Sequence, residues 1–503
     1  MEEVVAPQPA RVGKDRRQLP SWRWEELRTT LWVVPSILIV VSVLLFIVTF
    51  EIDVAAFHDP RILPSWIHTG SGDAEQVLIA IAAAVITVVG VVFSITILAL
   101  TLASQQFGPR MMRNFVRDIG NQVTLGVFVG TFVYAVLVLV SIGSVAPKFV
   151  PYLSTSVAEG LLMVDLGVLI YFIHHIAKSI QLPEVIAGIA DDLMNSIDAE
   201  FPDRVGADAG PASHTHAGKS VPELLQLIDE RGAIVPSQVS GYIQYVGYSQ
   251  LIAIATRTDS VVRLEHRPGH YLANGRALAI VWPRGAAPEV ARALSKAHVT
   301  GPHRTLVQDP VFAIDQLVEI AIRALSAAVN DTFTALTCID WLSAGLSVIS
   351  GRVLSEGVYR DRTGEIRLIE LAPSYERMVN RAFDKIRQAG GAMPAVVIRM
   401  LDALSHIAEH TAHATQRTVL QRQAEMIVRR AEEADFEPND LADVSGRYQD
   451  FLALIDQVSA SGDGGLAGPL TAVGVEGDAG GAGASTRGGG PVDTLAGPLP
   501  GAR

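Results

Sequence analysis

The stretch from Val77 to Ser104 reads VLIAIAAAVITVVGVVFSITILALTLAS and contains no charged side chain. As a helix it would be about 42 Å long, which exceeds the roughly 30 Å of a bilayer's hydrocarbon core. Three more apolar stretches occur in the first third of the chain: Leu31 to Phe50, Val123 to Ser144 and Val157 to Ile173. We therefore predict an integral membrane protein whose partner is the lipid bilayer, with a four-helix transmembrane domain over residues 31–180.

Basic residues near these stretches predict the orientation. Nine lie before the first stretch or between the second and third: Arg11, Lys14, Arg16, Arg17, Arg23, Arg28, Arg110, Arg113 and Arg117. The loops on the opposite side offer Arg61 and Lys148. Because Lys and Arg concentrate on the cytoplasmic side, both termini are predicted to be cytoplasmic. Residues 1–30 form a basic cytoplasmic lead.

The remainder of the chain has the composition of a folded, acidic body. The net charge of the whole chain is −12, although the basic residues concentrate beside the apolar stretches. We expect no affinity for nucleic acid from such a body. The predicted fold class is membrane α-helical with a cytosolic α+β region that is mostly helical.

Periodicity and turn residues divide this region into four parts. A connector helix and loop occupy residues 181–234, and a small β-containing module occupies residues 235–286, with Gln250 to Asp259 as either helix or strand. A helical domain follows over residues 287–458, and one of its helices is predicted from Pro394 to His413. Residues 459–503 are rich in Gly, Ala and Pro and are predicted to be a disordered tail.

Four separated blocks of sequence resemble a known family. The block from Phe93 to Arg110 is the most recognisable, and the other three contain Tyr171 to Gln181, Ser240 to Gln244, and Arg304 to Thr334. They resemble a bacterial family of predicted integral membrane proteins, domain of unknown function 2254. Ala327 and Thr332 stand where the family's pattern has proline. The resemblance implies a transmembrane protein of the plasma (inner) membrane of a bacterium and no particular activity.

Polar residues within the apolar stretches are the first candidates for function. Asp165 lies near the middle of the fourth stretch, where it is either a protonatable group on a transport path or an acid packed against a neighbouring helix. Thr87, Ser94, Thr101 and Gln105 lie in one narrow stripe along the second stretch and its end, together with Ala83 and Gly90. Such a stripe permits close helix packing or lines an aqueous path, and packing is the more common use.

Three further groups have gating, interface or metal-binding potential. Arg110, His174 and His175 lie at the predicted cytoplasmic edge, where a histidine titrates near neutral pH. Arg323, Asn330 and Asp331 form a cytosolic motif in which Asn330 or Asp331 caps the helix that follows. A last group has a metal-like helical spacing but lacks the glutamate of a His-Glu-x-x-His motif, so that no metal is expected: Asp402, His406, His410 and His413.

Two functions are consistent with these features. The first is an oligomeric ion channel or transporter in which copies of this chain assemble around a path, regulated by the cytosolic domain. The second is a membrane-anchored sensor or scaffold whose cytosolic domain binds a ligand or protein partner. An enzyme ranks behind both, because no set of nucleophile, base and oxyanion donors can be assembled. No cofactor signature is present.

Overall fold

The computed structural model describes residues 32–58, 73–107, 118–146, 149–179, 181–201, 215–216, 219–352, 354, 357–371, 373–411 and 413–462. The predicted basic lead, Arg110 and nearly all of the predicted tail lie outside these residues. One compact unit spans Met1–Ser459, and of the second unit, Ala460–Arg503, only the residues to Gly462 are described.

Four long apolar helices occupy the first third of the chain. They are α1 (Val33–His58), α2 (Asp73–Phe107), α3 (Ile119–Ser141) and α4 (Tyr152–Ser179). Each is long and apolar enough to cross a membrane. With 35 residues α2 is about 52 Å long, so that it exceeds the hydrocarbon core even more than its apolar stretch does. The predicted membrane α-helical fold with an α+β region, which is mostly helical and contains a small β module, is confirmed.

A fifth described helix, α10 (Thr332–Gly351), also has the length and composition of a membrane span. Half of its most apolar window is buried within the protein, a larger share than in any of the first four helices. Cys338, Ile339 and Leu342 on this helix are completely buried among other helices of the same core. We therefore assign α10 to the region outside the membrane, because its apolar face is already covered by protein.

The membrane bundle is built around α3, which packs against α1, α2 and α4. Two glycines set the approach of α3 to α1. A Cβ atom at Gly126 would lie 2.6 Å from Leu38 Cδ1 and 2.9 Å from Pro35 Cα, and one at Gly130 would lie 2.5 Å from Ser42 Oγ. The Gly-x-x-x-Gly pair therefore acts as small-residue packing, which allows two helix backbones to come close.

The residues after α4 form a body in which one core is helical. The helices are α5 (Leu182–Glu200), α9 (Pro310–Ala324), α10, α11 (Tyr375–Gly390), α12 (Pro394–Glu409), α13 (Ala414–Glu432) and α14 (Pro438–Gly462). The connector α5 is amphipathic and buries Ile186, Ile189 and Leu193 against α9 and α10. It is therefore part of the core, and it joins that core directly to α4.

The second core of the body contains two sheets and three helices. The helices are α6 (Val221–Arg231), α7 (Tyr248–Arg257) and α8 (Ala287–Ala297). The strands are β1 (Thr215–His216), β2 (Lys219–Ser220), β3 (Ala233–Pro236), β4 (Gly241–Val246), β5 (Val261–Leu264), β6 (Tyr271–Leu272), β7 (Ala277–Trp282), β8 (His298–Gly301), β9 (Val358–Arg360) and β10 (Ile366–Glu370). A five-stranded sheet has the order β3-β7-β5-β10-β9, and a three-stranded sheet has the order β6-β4-β8. A separate two-stranded ribbon is formed by β1 and β2.

These sheets use more of the chain than the predicted module 235–286. The hairpin of β9 and β10 comes from the predicted helical domain, and β10 pairs in parallel with β5, Leu368 lying opposite Val262. Gln250 to Asp259 is helical, as α7. The predicted helix Pro394 to His413 ends at Glu409, where His410 serves as its C-cap.

Candidate functional site

The polar stripe of α2 faces away from the bundle. Thr87, Ser94 and Thr101 are exposed on the single chain, and each hydroxyl donates to a carbonyl four residues earlier in its own helix at 2.7–2.8 Å. Nothing lies within 4 Å of the position where a Cβ at Gly90 would be. The stripe is therefore open to lipid or to another protein chain. The side chain of Gln105 lies outside the described residues.

Asp165 is on the inner side of α4 and is almost fully buried. Its Oδ1 accepts a hydrogen bond from Thr131 Oγ1 of α3 at 3.1 Å, while Oδ2 has no partner. Beside it is a cavity of about 270 Å³ lined by apolar side chains, including Val85, Val88 and Phe128. The stripe residues Thr87, Ser94 and Thr101 do not line that cavity. Asp165 therefore faces the inside of the bundle, whereas the stripe of α2 faces outward. Within one chain the two do not line the same space.

A polar network lies where α1 ends and α4 begins, and it was not predicted from the sequence. Asp53 of α1 accepts hydrogen bonds from the backbone N–H groups of Leu153 and Ser154 and from the Ser154 hydroxyl, at 2.6–2.9 Å. Tyr134 of α3 bonds to Thr49 at 2.9 Å and donates to the Ser154 carbonyl at 3.2 Å. Three membrane helices are thus joined at one point by buried groups.

A second polar contact lies at the predicted cytoplasmic edge. His175 Nε2 of α4 lies 2.6 Å from Asp118 Oδ2, and Asp118 also caps α3 by accepting from the Gly120 N–H at 2.8 Å. The neighbouring His174 is exposed and points elsewhere. Of the predicted pair of histidines, His175 is therefore the one that connects two helices.

The predicted cytosolic motif forms a tight loop between α9 and α10. Asn330 adopts a positive φ of 49°, and its N–H donates to the Ser326 carbonyl. Asp331 caps α10 by accepting from the N–H and the hydroxyl of Thr334. Arg323 is exposed and its carbonyl accepts from the Ser326 hydroxyl. These contacts define the local role of the motif as helix capping.

The four candidate metal ligands do not share one helix. Because α12 ends at Glu409, His410 is its C-cap and His413 is the N-cap of α13. Asp402 lies 3.7 Å from Arg447, and His410 Nδ1 lies 2.9 Å from the His406 carbonyl oxygen. Within the part of the chain that the structure describes, no three His, Cys, Asp or Glu side chains are grouped as metal ligands would be.

A large cavity lies between the sheets and the helical core, and we call it the basic cleft. It has a volume of about 920 Å³ and a neighbouring recess of about 320 Å³, and both are lined by Gly269, Arg304, Arg377 and Arg381. Helix α11 supplies Arg377, Arg381 and Lys385 to one wall. The turn before β6 supplies His266, Arg267 and His270 to the recess.

Some of these cations have acidic partners. Arg304 bonds to Asp309, with its Nε at 2.8 Å from Oδ2, and also to Asp315, while Arg381 bonds to Asp315 through two nitrogens. A Cβ at Gly269 would lie 2.0 Å from Asp309 Oδ2, and φ is +87° at this position. Glycine is therefore required for the turn to approach the Arg304–Asp309 pair.

Positive charge dominates the recess. Burial, together with the nearby charges of Arg267, His266, Arg377 and Arg304, lowers the pKa of His270 to about 4. Burial also lowers the pKa of Arg267, whose Nε lies 3.2 Å from His270 Nε2. The recess therefore favours neutral or negative groups over additional cations.

Carboxyl groups and tyrosines are half-buried next to the recess. Tyr248 and Tyr359 stack with ring centroids 4.9 Å apart, and their hydroxyls donate to the two oxygens of Glu370 at 2.9 and 2.6 Å. Burial raises the pKa of Glu370. Burial, together with the charge of Glu370, raises the pKa of Glu200 at the end of α5 to about 7. Glu200 thus places a titratable group at the junction of the two cores.

Sequence reasoning did not find the basic cleft. The positions of Arg377, Arg381 and Lys385, each four residues apart, predict one helical face and are the only local signal. The opposite wall comes from the turn at Gly269, more than a hundred residues earlier. The pairing of β10 with β5 brings these segments together, and no local pattern predicts that pairing.

The fold and these sites define a class of multi-pass membrane protein with a mixed α+β body. The family described as predicted membrane protein (DUF2254) matches residues 28–406, and the chain belongs to this family. Uncharacterized proteins of Mycobacterium bovis and Mycobacterium tuberculosis are each 34% identical to it over 383 residues, which cover 75% of this chain and 71% of each relative. No solved structure matches the chain.

Proposed function

We propose that this protein is an oligomeric ion channel or transporter of the bacterial plasma membrane, regulated by a cytosolic domain, with both termini in the cytoplasm. The observation that carries the proposal is the outward orientation of the α2 stripe. Thr87, Gly90, Ser94 and Thr101 are all exposed on the single chain. Small and hydroxyl-bearing residues favour contact between membrane helices or the lining of a water path over contact with lipid tails.

Other copies of this chain are the proposed neighbours of the stripe. A ring of copies would place one stripe from each around a shared axis, so that the path runs between subunits. Asp165 lies outside this path, because it is buried against Thr131 on the inner side of the bundle. The orientation follows from the basic residues beside the spans.

Single-cysteine variants test the arrangement, because Cys338 is the only cysteine of the chain and is fully buried. Gly90→Cys places a thiol near the centre of α2 on the stripe. Leu44→Cys is the matched control, since Leu44 is near the centre of α1 and is 56% exposed. Oxidation in native membranes should cross-link Gly90→Cys chains into dimers and leave Leu44→Cys chains monomeric.

A second measurement separates a water path from dry packing. Ser94→Cys should react with a membrane-impermeant thiol reagent, and the reaction should block ion flux in proteoliposomes, because only a thiolate that reaches water reacts quickly. Cross-linking at Gly90→Cys without reaction at Ser94→Cys would reduce the stripe to a packing interface. Liposomes that hold the unmodified protein and remain tight to common ions would overturn the channel proposal.

The second candidate function is a membrane-anchored sensor or scaffold. The basic cleft favours it, because the body then has a place for a ligand that is separate from the membrane helices. The same flux experiment distinguishes the two functions, since a sensor requires no path.

A further inference from the structure

We propose that the basic cleft binds a phosphate-bearing anion, which Arg377, Arg381 and Lys385 of α11 hold against the turn at Gly269. The proposal concerns the body alone and stands whether or not the membrane helices conduct ions.

The arrangement of cations on α11 is unfavourable without a bound anion. Arg377, Arg381 and Lys385 lie at successive spacings of four, and like charges at this spacing destabilise a helix by a few tenths of a kcal/mol for each pair. Asp315 neutralises Arg381. Arg377 and Lys385 are exposed to the cleft and have no acidic partner among the described residues. Two cations therefore remain available for a ligand.

The turn at Gly269 faces α11, and it adds positive charge instead of neutralising the cations of that helix. His266, Arg267 and His270 line the recess, and its acidic residue, Asp309, is bonded to Arg304. Asp384 also lines the cleft, and it bonds to Gln423 and lies 3.4 Å from Arg387. Asp309 and Asp384 are thus engaged by other groups, while Glu319 of α9 is a further acid that lines the cleft. Arg377 lines both the cleft and the recess.

The size of the cleft suits a small organic ligand. Its volume of about 920 Å³ is near the upper end of typical ligand pockets, which are about 300–1,000 Å³. Tyr242 and Phe312 provide aromatic surface in the same wall as Arg304, whose guanidinium carbon lies 4.9 Å from the centre of the Phe312 ring. Charged groups and aromatic surface within one cleft fit an anion that carries an organic part.

Phosphate is the chemistry that these cations recognise best. The planar guanidinium of arginine offers paired N–H donors that match phosphate oxygens, and lysine adds a point charge. A phosphoryl group occurs both in soluble metabolites and in lipid headgroups. The experiment must therefore distinguish these two sources.

Binding of inorganic pyrophosphate and of ATP to the full-length protein is the direct test. The protein is placed in nanodiscs of neutral lipid, and each compound is titrated by calorimetry. We expect saturable binding with about one site per chain. Arg377→Gln combined with Lys385→Gln should weaken the affinity at least about tenfold, because the variant loses two charge-assisted contacts to the anion.

The matched control removes the same charges elsewhere. Lys296 and Arg429 are exposed, have no acidic partner among the described residues and do not line the cleft. Lys296→Gln combined with Arg429→Gln should leave the affinity within about twofold of the wild type. The cleft variant should also keep or slightly raise Tm, since it removes repulsion along α11. Weakened binding together with an unchanged Tm excludes misfolding as the cause.

Nanodiscs of anionic lipid identify the source of the phosphate. An affinity for pyrophosphate that is equal in neutral and anionic nanodiscs supports a soluble compound. A lower apparent affinity in anionic nanodiscs supports a lipid headgroup that competes for the cleft. The absence of saturable binding of either compound at millimolar concentration would overturn the proposal, and so would equal weakening by the cleft variant and the control variant.

Discussion

Asp53, in α1, caps the first turn of α4, a hundred residues later in the chain, by accepting the N–H groups of Leu153 at 2.8 Å and Ser154 at 2.9 Å. The first N–H groups of a helix have no partner within that helix. Asp53 satisfies two of them from a neighbouring helix, and its side chain is only 3% exposed. A cap supplied in this way stabilises the helix and also fixes the position of α4 relative to α1.

The first prediction is that Asp53→Asn destabilises the bundle. An asparagine has one acceptor oxygen where the carboxylate has two, and its NH₂ group cannot accept from Ser154. We expect the free energy of unfolding to decrease by about 1–3 kcal/mol, because a buried donor is left without its charged partner. Thermal unfolding in detergent should show a lower Tm. Glu51→Gln, at an exposed position two residues earlier, is the control and should have little effect.

The second prediction concerns the glycines of α3. Gly126→Ala and Gly130→Ala should each lower Tm, because the added methyl group would lie within 3 Å of α1 and force the two helices apart, at a cost of about 1–3 kcal/mol. Gly167→Ala of α4 is the matched control. Nothing lies within 4 Å of its Cβ position, so that the substitution should be neutral or slightly stabilising. Equal effects at Gly126 and Gly167 would contradict close packing between α3 and α1.

The sequence predicted the elements of this fold better than the contacts between them. A continuous apolar run such as Val77 to Ser104 is enough to locate a membrane helix, because it depends on neighbouring residues alone. The Asp53–Ser154 contact depends on residues 101 positions apart. The parallel pairing of β5 with β10 likewise joins strands that are separated in the chain by three helices, α8, α9 and α10.

For the candidate functional residues, too, local patterns were predicted better than contacts between elements. The stripe from Ala83 to Thr101 was predicted correctly as one face of a helix, because its spacing alone decides this. The direction in which that face points depends on how α2 packs, and the sequence does not contain this information locally. Helix α6 was not predicted at all, since its 11 residues give only a short pattern inside a region assigned to a loop.

The third prediction concerns pH. The pKa of Glu200 is raised in the folded protein from 4.5 to about 7, so that the folded state binds more protons than the unfolded state between these values. Stability therefore decreases as pH rises through this window. Tm should be lower at about pH 8 than at about pH 5, and Glu200→Gln should reduce this difference, because glutamine does not titrate.

An exposed position provides the control for the pH experiment. Glu409 is exposed at the end of α12, and Glu409→Gln should leave the difference in Tm between the two pH values unchanged. Glu370 and Asp309 also have a raised pKa, so that part of the pH dependence should remain in Glu200→Gln. An unchanged pH dependence in Glu200→Gln would show that the carboxyl group is in contact with water.

The last prediction is that Asp165 packs the bundle and does not take part in conduction. Its single hydrogen bond, from Thr131 Oγ1, needs an acceptor oxygen that asparagine also provides, and the cavity at its other oxygen is apolar. Asp165→Asn should therefore have the same Tm as the wild type. At every pH its ion flux in proteoliposomes should equal that of the wild type. Asp165→Leu removes the acceptor, so that the Thr131 hydroxyl lacks its buried partner. The free energy of unfolding should decrease by about 1–3 kcal/mol, and Tm should be lower than that of the wild type. A change in the pH dependence of flux in Asp165→Asn, with assembly intact, would instead place this carboxyl group on a proton path and would require the path to pass through the inner side of the bundle.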